Sequence, residues 1–411
     1  MSKRTMLFDA TIIAQAYGAS AAGRSGIYFT AYNLLKQFVA SNQFDILVYS
    51  KGTCFAGLKK FAQDELPSNI SVISDQKYGE KIYLINQHCR ELRKQKKNIQ
   101  RLFYSLYKNI LELFKNKIPV VDIAFSPAFA FSKNIQAKNK YTILYDTIPL
   151  LVSEYFRDKG IGWYAELIKS LNNQDKYFAI SQSAKDDFIK YVPQLSKEQI
   201  TVTHLAASDN FYQVTDEHKI YQVRQKYNIP TDKKYIFSLC TLEPRKNLIR
   251  AVKSFITFIK KNKIDDLVFV LGGGHWDEFI GKMEQEISDL GEYKDKIIRA
   301  GYVADEDLSP LYSGAEWFVY TSQYEGFGLP PLEAMQCGCP IITSNNSSLP
   351  EVVGEAGIMI DYDNDEQHVK AYEEYYFDEN KRKLFSTKGL ERAKQFSWQK
   401  CAQQMINEFI K

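Results

Sequence analysis

The sequence predicts an α/β protein made of two doubly wound domains of the Rossmann type that face each other across a cleft. Short apolar runs alternate with helical stretches along the chain, and the same succession occurs in each half of its 411 residues. The apolar runs are almost continuous, which is typical of parallel strands covered by helices on both faces. The length also suits two or three domains of ordinary size.

The candidate strands are short runs rich in β-branched and aromatic residues, which favour a pleated, buried surface. Those in the first half are Met6–Ile13, Asp45–Tyr49, Ser71–Ile73, Ile123–Phe125, Thr142–Tyr145 and Tyr177–Ile180. Those in the second half are Tyr235–Leu239, Leu267–Leu271, Ile297–Ala300, Trp317–Tyr320, Pro340–Thr343 and Ile358–Ile360. The helical stretches between them supply the long connections that parallel strands need.

A polar stretch at Ala206–Asp216 separates the two halves and precedes a predicted helix at Lys219–Tyr227. We therefore expect a first domain over residues 1–210 and a second over residues 211–390. Residues 391–411 include an amphipathic helix. Its apolar side carries Trp398, Ala402, Met405, Ile406 and Phe409.

The composition argues against several classes of protein. Lys and Arg total 53 against 49 Asp and Glu, a balance that does not suit a dedicated nucleic-acid binder. The six cysteines are scattered without a C-x-x-C pair, so we expect neither a zinc site nor a disulfide framework. No apolar run reaches the length of a membrane span, and Asp9 interrupts what would be a signal-peptide core. These features predict a cytoplasmic protein.

The segment Arg90–Lys117 departs from this charge balance, with nine basic residues against two glutamates. Apolar residues recur within it at spacings of three and four, which indicates one face of a helix. They are Ile99, Leu102, Phe103, Leu106, Ile110, Leu113 and Phe114. Either this stripe packs on the sheet beneath a solvated basic face, or the helix lies on an anionic membrane surface. The sequence leaves both interpretations open.

The most informative stretch reads Glu-Gly-Phe-Gly-Leu-Pro-Pro-Leu-Glu, from Glu325 to Glu333. A predicted strand precedes it, and its glycines allow the backbone to approach a ligand closely. Pro330 and Pro331 favour the first turn of a short helix, and Gly338 is a typical residue just beyond a helix end. The loop therefore directs backbone amides outward at a helix N-terminus.

The amides of Phe327, Gly328 and Leu329 would form an anion site suited to phosphate, because free N–H donors and the helix dipole both favour negative charge. Glu325 and Glu333 lie on either side of this loop. A carboxylate can accept hydrogen bonds from two neighbouring hydroxyl groups of a sugar or a ribose. The combination fits a nucleotide-sugar.

A basic pair follows the first strand of the second half. After Tyr235–Leu239 the sequence reads Cys-Thr-Leu-Glu-Pro-Arg-Lys-Asn, which places Arg245 and Lys246 between a strand and a helix. Ligands bind at the carboxyl ends of strands in open α/β sheets. The two cations could therefore neutralise a diphosphate leaving group without a metal ion.

Both pieces resemble glycosyltransferase family 4, whose GT-B fold has two facing Rossmann-like domains. The stretch Glu325–Glu333 is similar to the family's E-x7-E motif, and Glu243–Asn247 is similar to its E-P-R-K-[NG] segment. Shorter matches occur at Gly301–Val303, Ala179–Ser181, Leu349–Val352 and Gly354–Gly357. The resemblance is strong over Tyr235–Asp361 and fainter over the first half.

The resemblance implies a role for each matching residue. Lys246, with Arg245, would hold the donor diphosphate, and Glu325 would contact the donor sugar near its anomeric centre. Glu333 would bind the ribose, Val303 would line the nucleobase pocket, and the intervening loop amides would bind phosphate and sugar. The resemblance also implies transfer with retention of configuration and without a cofactor or metal. Catalysis would then rest on positioning and on stabilising the departing diphosphate.

The first half departs from the family pattern. Gly26 aligns with the closing glycine of a family motif and is expected beside the donor phosphates. Tyr145-Asp146 stands where the family often has His-Asp. We expect Tyr145 to contact the donor sugar and Asp146 to take part in catalysis, although a tyrosine cannot carry positive charge. The structural alternatives are a core-edge tyrosine and a simple turn aspartate.

These observations predict a retaining, metal-independent glycosyltransferase that moves a sugar from a nucleotide-diphosphate-sugar to a glycan acceptor. The second domain would bind the donor, the first would bind the acceptor, and residues 391–411 would pack back on the first. The basic segment Arg90–Lys117 suggests a lipid-linked acceptor, as in bacterial surface polysaccharide assembly, and peripheral attachment to the inner membrane face. The alternatives are a sugar-nucleotide epimerase or hydrolase of the same fold, and a non-catalytic partner subunit. We expect no nucleic-acid partner.

Overall fold

The computed structural model describes residues 3–17, 26–151, 162–274 and 277–411. Its first sheet consists of β1 (Arg4–Asp9), β2 (Phe44–Ser50), β3 (Ser71–Ser74), β4 (Val121–Ser126), β5 (Ala137–Leu144), β6 (Lys176–Ala179) and β7 (Ile200–Val202). These strands are parallel and have the order β3-β2-β1-β4-β5-β6-β7. The order reverses between β1 and β4, which is where an open α/β sheet forms its binding crevice.

The second sheet repeats this arrangement. It consists of β8 (Lys234–Leu239), β9 (Leu267–Gly272), β10 (Ile297–Gly301), β11 (Phe318–Tyr320), β12 (Ile341–Ser344) and β13 (Ile358–Ile360). The strands are parallel in the order β10-β9-β8-β11-β12-β13, so the corresponding crevice lies between β8 and β11. The two sheets and their helices confirm the predicted fold class.

Helices connect the strands and cover both sheets. In the first half they are α1 (Thr11–Tyr17), α2 (Gly26–Ser41), α3 (Phe55–Glu65), α4 (Gly79–Lys94), α5 (Asn98–Glu112), α6 (Ile148–Leu151), α7 (Gly162–Ser170) and α8 (Gln182–Tyr191). In the second half they are α9 (Glu217–Lys226), α10 (Leu248–Asn262), α11 (Asp277–Ser288), α12 (Asp305–Ser313), α13 (Leu329–Gln336), α14 (Leu349–Val353), α15 (Asp365–Phe377), α16 (Glu379–Ala393) and α17 (Trp398–Ile410). Within the described ranges, no helix is both long and apolar enough to cross a bilayer.

One predicted strand ends earlier than expected, and one observed strand was not predicted. The strand predicted at Met6–Ile13 ends at Asp9, because the Asp9 carboxylate accepts hydrogen bonds from the Thr11 amide at 3.0 Å and from the Thr11 hydroxyl at 2.5 Å. These bonds favour the start of α1 over a longer strand. The strand β7 was not predicted, because three residues are too few for a recognisable pattern.

The basic segment Arg90–Lys117 is not one helix. The chain turns between α4 and α5 at Lys96, whose φ of 57° lies in the left-handed region. The two helices pack on each other through the buried side chains of Ile82, Ile85 and Leu111. The apolar stripe, which runs along α5 and over the two residues after it, faces outward: Ile99 and Phe103 on α5 and Leu113 just beyond it are exposed to 87%, 73% and 78%. The interpretation that this stripe packs on the sheet is therefore wrong.

The C-terminal helix α17 packs on the first sheet and on α2 rather than on the second sheet. The ring of Phe409 lies 5.5 Å from that of Phe38 and 4.7 Å from that of Tyr141, measured between centroids. The Tyr141 hydroxyl also donates to the Glu408 carbonyl at 3.1 Å. All five residues predicted for the apolar side of the helix are buried. The helix thereby ties the end of the chain to its first strands.

Candidate active site

The candidate site lies where the carboxyl ends of the two sheets meet. A Cβ placed on Gly326, which follows β11, would lie 2.9 Å from the Asp146 Cβ and 2.9 Å from the Tyr145 carbonyl, which follow β5. The Ser181 hydroxyl, at the end of β6, donates to the Gly326 carbonyl at 2.7 Å. A glycine is therefore needed at position 326, because any side chain there would push the two halves apart.

Three of the residues predicted for the site form a buried ionic cluster in the second half. Lys246 Nζ lies 2.7 Å from Glu325 Oε1, and Arg245 Nη1 lies 3.0 Å from the same oxygen. The guanidinium of Arg245 also forms an ion pair with Glu243. The loops after β8 and β11 thus bring two cations and two carboxylates together, although the sequence separates Glu325 from the other three by about 80 positions.

The ionisation of Glu325 follows from these neighbours. Burial raises the pKa of its carboxyl, but the charges of Lys246 and Arg245 outweigh burial and lower the pKa to about 2. Burial also disfavours the charged form of Arg245, yet Glu325 and Glu243 raise its pKa above the ordinary value. Glu325 and Arg245 therefore both stay ionised over the physiological pH range.

The two cations have different partners. Arg245 donates to Glu243 and to the Tyr324 carbonyl and forms an ion pair with Glu325, while its Nε is buried without a partner among the described residues. Lys246 Nζ bonds Glu325 and the Tyr320 hydroxyl, each at 2.7 Å. An ammonium group has three N–H donors. Lys246 therefore keeps one donor for a ligand, whereas Arg245 mainly fixes the position of Glu325.

The loop between Glu325 and α13 is held by two serines. The Ser347 hydroxyl accepts from the Glu325 amide at 2.9 Å, and the Ser348 hydroxyl donates to the carbonyls of Glu325 and Phe327 at 2.9 and 2.7 Å. Gly328 has a φ of 111°, which favours glycine, and it immediately precedes the helix. The two serines thus bind the Glu325 amide and the carbonyls of Glu325 and Phe327.

The amides of Phe327 and Gly328 form no hydrogen bond with any part of the chain that the structure describes. The Leu329 amide is at the first position of α13, where a helix has no internal partner for it. The Phe327 side chain is buried, with its ring 6.0 Å from that of Phe396 and 6.1 Å from that of His204. These three backbone amides are available to an anion at a helix N-terminus.

Glu333 lies on α13, in the second turn after this loop. Its carboxylate accepts a hydrogen bond from the Tyr312 hydroxyl at 3.0 Å. Burial raises the pKa of Glu333 to about 7, the Tyr312 hydrogen bond opposes the shift, and the charge of Asp305 adds to it. Val303 is buried beyond the end of β10, 3.2 Å from where a Cβ on Gly272 would lie. Both residues are therefore at the carboxyl edge of the second sheet.

The predicted residues of the first half lie across the cleft. A Cβ on Gly26, at the start of α2, would lie 3.8 Å from the Leu329 side chain. The Tyr145 hydroxyl donates to the Pro127 carbonyl at 2.7 Å, as expected of a tyrosine at the edge of the core. Its contact with the donor stays a prediction. The segment 21–25, which carries the rest of the glycine motif, lies outside the described residues.

Asp146 has features of a turn aspartate and of a residue that takes part in catalysis. Its Oδ1 accepts from the Ile148 amide at 3.0 Å, as a turn aspartate does. Burial raises the pKa of its carboxyl to about 6, and the charges of Arg245, Glu325 and Lys246 also act on it. Asp146 is therefore close enough to the ionic cluster to respond to it, and its catalytic role stays a prediction.

Several residues of the site were not predicted from the sequence. Glu243 lies in the segment Glu243–Asn247 that resembles the family motif, but nothing in the sequence indicates its ion pair with Arg245. Tyr312 on α12 and Tyr320 at the end of β11 support Glu333 and Lys246, and neither belongs to a motif that would indicate this. Glu351 bridges the halves: its carboxylate accepts from the Gln182 amide at 2.8 Å and contacts His204 Nε2 at 2.5 Å. Its place in the Leu349–Val352 match was the signal available for it.

The site offers charges and hydrogen-bonding groups to a ligand. Among the described residues, no group of three or more His, Cys, Asp or Glu side chains could hold a metal ion. The lysine ammonium and the loop amides offer positive charge and N–H donors, and the carboxylates offer acceptors for hydroxyl groups. Independence of a metal and of a cofactor stays a prediction.

Two facing parallel sheets with a site at their joined carboxyl edges define the GT-B class. A solved structure with this fold, Anabaena Alr3699/HepE in complex with UDP and glucose, has a TM-score of 0.67 and 16% identity and covers 98% of this chain and 99% of its own. Residues 220–392 match the family described as "Glycosyl transferases group 1". This match confirms the resemblance to glycosyltransferases over the second sheet and its helices.

Two curated relatives are similar over part of the chain. "O-antigen chain mannosyltransferase B" of Escherichia coli is 34% identical over 244 residues, which are 59% of this chain and 62% of that protein. "Serotype-specific mannosyltransferase WbdA" of Escherichia coli is 29% identical over 271 residues, which are 66% of this chain and 33% of that protein. The chain therefore spans less than two thirds of the length of either relative.

Proposed function

We propose that the protein is a retaining glycosyltransferase that moves a sugar from a nucleotide-diphosphate-sugar to a glycan acceptor. The observation that carries the proposal is the joint contact of Lys246 and Arg245 with Glu325, beside the loop at Gly326 that meets Asp146. Such a cluster offers a cation to a departing diphosphate and a carboxylate to a sugar. The family match and the names of the relatives support this reading.

The donor would lie along the carboxyl edge of the second sheet. Its diphosphate would approach Lys246 and the free amides of the loop before α13, because both favour negative charge. Its ribose would reach Glu333, its base would lie near Val303, and its sugar would lie between Glu325 and Asp146. As the bond between sugar and diphosphate breaks, the leaving phosphate would take the proton of the acceptor hydroxyl, so the enzyme needs no carboxylate nucleophile.

A panel of nucleotide-sugars tests this proposal. The relatives' names place nucleoside diphosphate mannose first in the panel, followed by the corresponding glucose, galactose and N-acetylglucosamine donors. Each donor is incubated with methyl glycosides as acceptors, and free nucleotide and glycosylated product are both measured. We expect product with one donor at least, and a faster release of nucleotide when acceptor is present. Release independent of any acceptor would favour a hydrolase or epimerase, and binding without turnover would favour a non-catalytic subunit.

We also propose that α5 attaches the protein to an anionic membrane surface, where a lipid-linked acceptor would be found. The outward stripe of α5 contains large apolar side chains that are all more than half exposed or close to it. Those on the helix are Ile99, Leu102, Phe103, Leu106 and Ile110, and Leu113 and Phe114 directly follow its last residue. An exposed patch of this kind on a surface helix is typical of an interaction site.

The charges around α5 favour a lipid partner over a second apolar protein surface. Lys96 and Lys97 precede the helix, Lys115 and Lys117 follow it, and all four are exposed. Near the surface of an anionic membrane each such cation contributes about 1 kcal/mol of attraction. Basic ends on an apolar stripe let the helix lie in the plane of the interface with its stripe inserted.

Cosedimentation with vesicles tests the membrane proposal. We expect wild-type protein to sediment with vesicles of phosphatidylcholine and phosphatidylglycerol, and less with phosphatidylcholine alone. The triple variant Ile99→Ser, Phe103→Ser, Leu113→Ser should lose this binding, whereas Leu384→Ser, at an exposed leucine on α16, should keep it. Equal binding of the triple variant would contradict the proposal. The proposal would also be contradicted if the wild-type protein were a dimer in solution and the triple variant a monomer, because a second copy of the chain would then cover the stripe.

A further inference from the structure

A partly exposed pair of aromatic rings lies in the first half of the cleft, outside the residues assigned to the donor. Trp163, on α7, is 39% exposed. Its ring meets that of Phe129 edge to face at 6.0 Å between centroids. Phe129 belongs to the turn at the carboxyl end of β4, where the Ser126 hydroxyl binds both its amide and its carbonyl. Phe129 therefore stands on a fixed turn, and Trp163 stands on a helix.

A cation extends this surface. Lys51 Nζ lies 5.5 Å from the centre of the Phe129 ring, and the Lys51 amide donates to the Thr11 hydroxyl at 3.1 Å. Lys51 follows β2, as Phe129 follows β4 and as α7 comes between β5 and β6. The lysine and the two rings therefore lie along the carboxyl edge of the first sheet, the edge at which open α/β sheets bind ligands.

One end of this surface leads to the ionic cluster. Tyr164, the neighbour of Trp163, donates from its hydroxyl to the Asp146 carbonyl at 3.0 Å. Asp146 is the residue against which Gly326 of the second half packs. A ligand on the two rings would therefore be within a few residues of the position proposed for the donor sugar.

The other end leads toward the helix proposed to contact the membrane. Gly52 follows Lys51, and a Cβ on Gly79, the first residue of α4, would lie 2.3 Å from the Gly52 carbonyl. Helix α4 packs in turn on α5 through Ile82, Ile85 and Leu111. The surface thus connects the α4–α5 pair with the catalytic cleft.

We infer that Trp163, Phe129 and Lys51 form the acceptor subsite, in which a sugar ring of the glycan stacks on the exposed Trp163 ring beside Phe129 and Lys51 donates to its hydroxyl groups. The inference rests on the proposed function and adds the residues that recognise the acceptor. Aromatic faces suit the apolar C–H surface of a pyranose, and an ammonium donor suits its hydroxyl groups. A lipid-linked glycan would enter past α4 and present its terminal sugar at Asp146.

Transfer kinetics with methyl α-mannoside and its glucose, galactose and N-acetylglucosamine analogues test the inference. We expect Trp163→Ala to raise the KM for the acceptor about tenfold, the loss of one good aromatic contact, and to leave the KM for the donor within about twofold. Trp163→Phe should recover part of the loss. Tyr191→Ala, at a tyrosine of similar exposure on α8, should change neither value. An unchanged acceptor KM in Trp163→Ala would overturn the inference.

Saturation-transfer NMR with the same methyl glycosides separates failure of the inference from failure of the proposed function. We expect saturation of sugar-ring protons by wild-type protein and its loss in Trp163→Ala. If the wild-type protein gives the saturation signal but transfers no sugar, the proposed function would be wrong and the saccharide subsite would stand. Absence of the saturation signal in wild-type protein, or its persistence in Trp163→Ala, would overturn the subsite itself.

Discussion

Lys246 Nζ lies 2.7 Å from Glu325 Oε1, and both groups are almost fully buried although they follow different strands of the second sheet. Removing one partner of a buried ion pair costs more than the pair contributes, because the remaining charge is left without compensation. Arg245 binds the same oxygen, so the single negative charge of Glu325 lies beside two cations. A dianionic ligand that reaches Lys246 would therefore supply further negative charge beside these two cations.

Replacing Glu325 with Gln should reduce both activity and stability. The amide leaves Lys246 and Arg245 without their shared anion, so we expect a loss of about 3–5 kcal/mol in the free energy of unfolding, measured in guanidinium chloride. Sugar transfer should fall roughly a hundredfold or more, because the donor loses a charged partner near its reacting centre. Glu355→Gln, at an exposed glutamate, is the matched control. Wild-type activity in Glu325→Gln would exclude a direct role for the carboxylate.

Donor affinity should depend on pH through Glu333. Its pKa is raised to about 7, so the carboxylate that accepts ribose hydroxyl groups becomes protonated as the pH falls below that value. The KM for the donor should therefore rise roughly fivefold between about pH 7 and about pH 6. Asp305→Asn removes a charge that raises this pKa and should move the transition to lower pH.

The control for this pH dependence is Asp146→Asn, because Asp146 also has a pKa raised by burial, to about 6. The profile of the donor KM should survive in Asp146→Asn and should disappear in Glu333→Gln. A profile that remained in Glu333→Gln would show that another group controls donor binding.

The ring of Phe409 should contribute strongly to the stability of the first half. It is 1% exposed and meets the rings of Phe38, Phe44, Phe125, Tyr141 and Phe178. Phe409→Ala should lower the free energy of unfolding by about 3–5 kcal/mol, since it leaves a cavity among packed aromatic rings. Ile410→Ala, the exposed neighbour on the same helix, should cost under about 1 kcal/mol. Similar losses in both variants would contradict the proposed anchoring of α17.

Much of the fold could be predicted because its strands are buried on both faces and therefore read as continuous apolar runs. The loop between Glu325 and Glu333 could be predicted for a similar reason, since two glycines and two prolines restrict the backbone strongly. The end of the first strand could not, because Ile12 and Ile13 suit a strand and a helix equally until Asp9 binds Thr11.

The parts of the site that could not be predicted depend on contacts between distant side chains. The sequence shows Arg245 and Lys246 as equal cations, and the difference between them arises from Glu243, Tyr324 and Tyr320. The stripe on α5 posed a different problem. Its periodicity predicts one apolar face, but the period of a helix does not say whether another element covers that face.

The most direct test of the central claim is the rate of sugar transfer by Lys246→Ala. We expect a loss of roughly a hundredfold or more in kcat with the donor that the wild-type protein uses, because the departing diphosphate loses its ammonium partner. Circular dichroism should show a folded variant, and Lys294→Ala, at an exposed lysine, should transfer at the wild-type rate. A folded Lys246→Ala protein that turned over at the wild-type rate would contradict the role of Lys246 as the partner of the departing diphosphate.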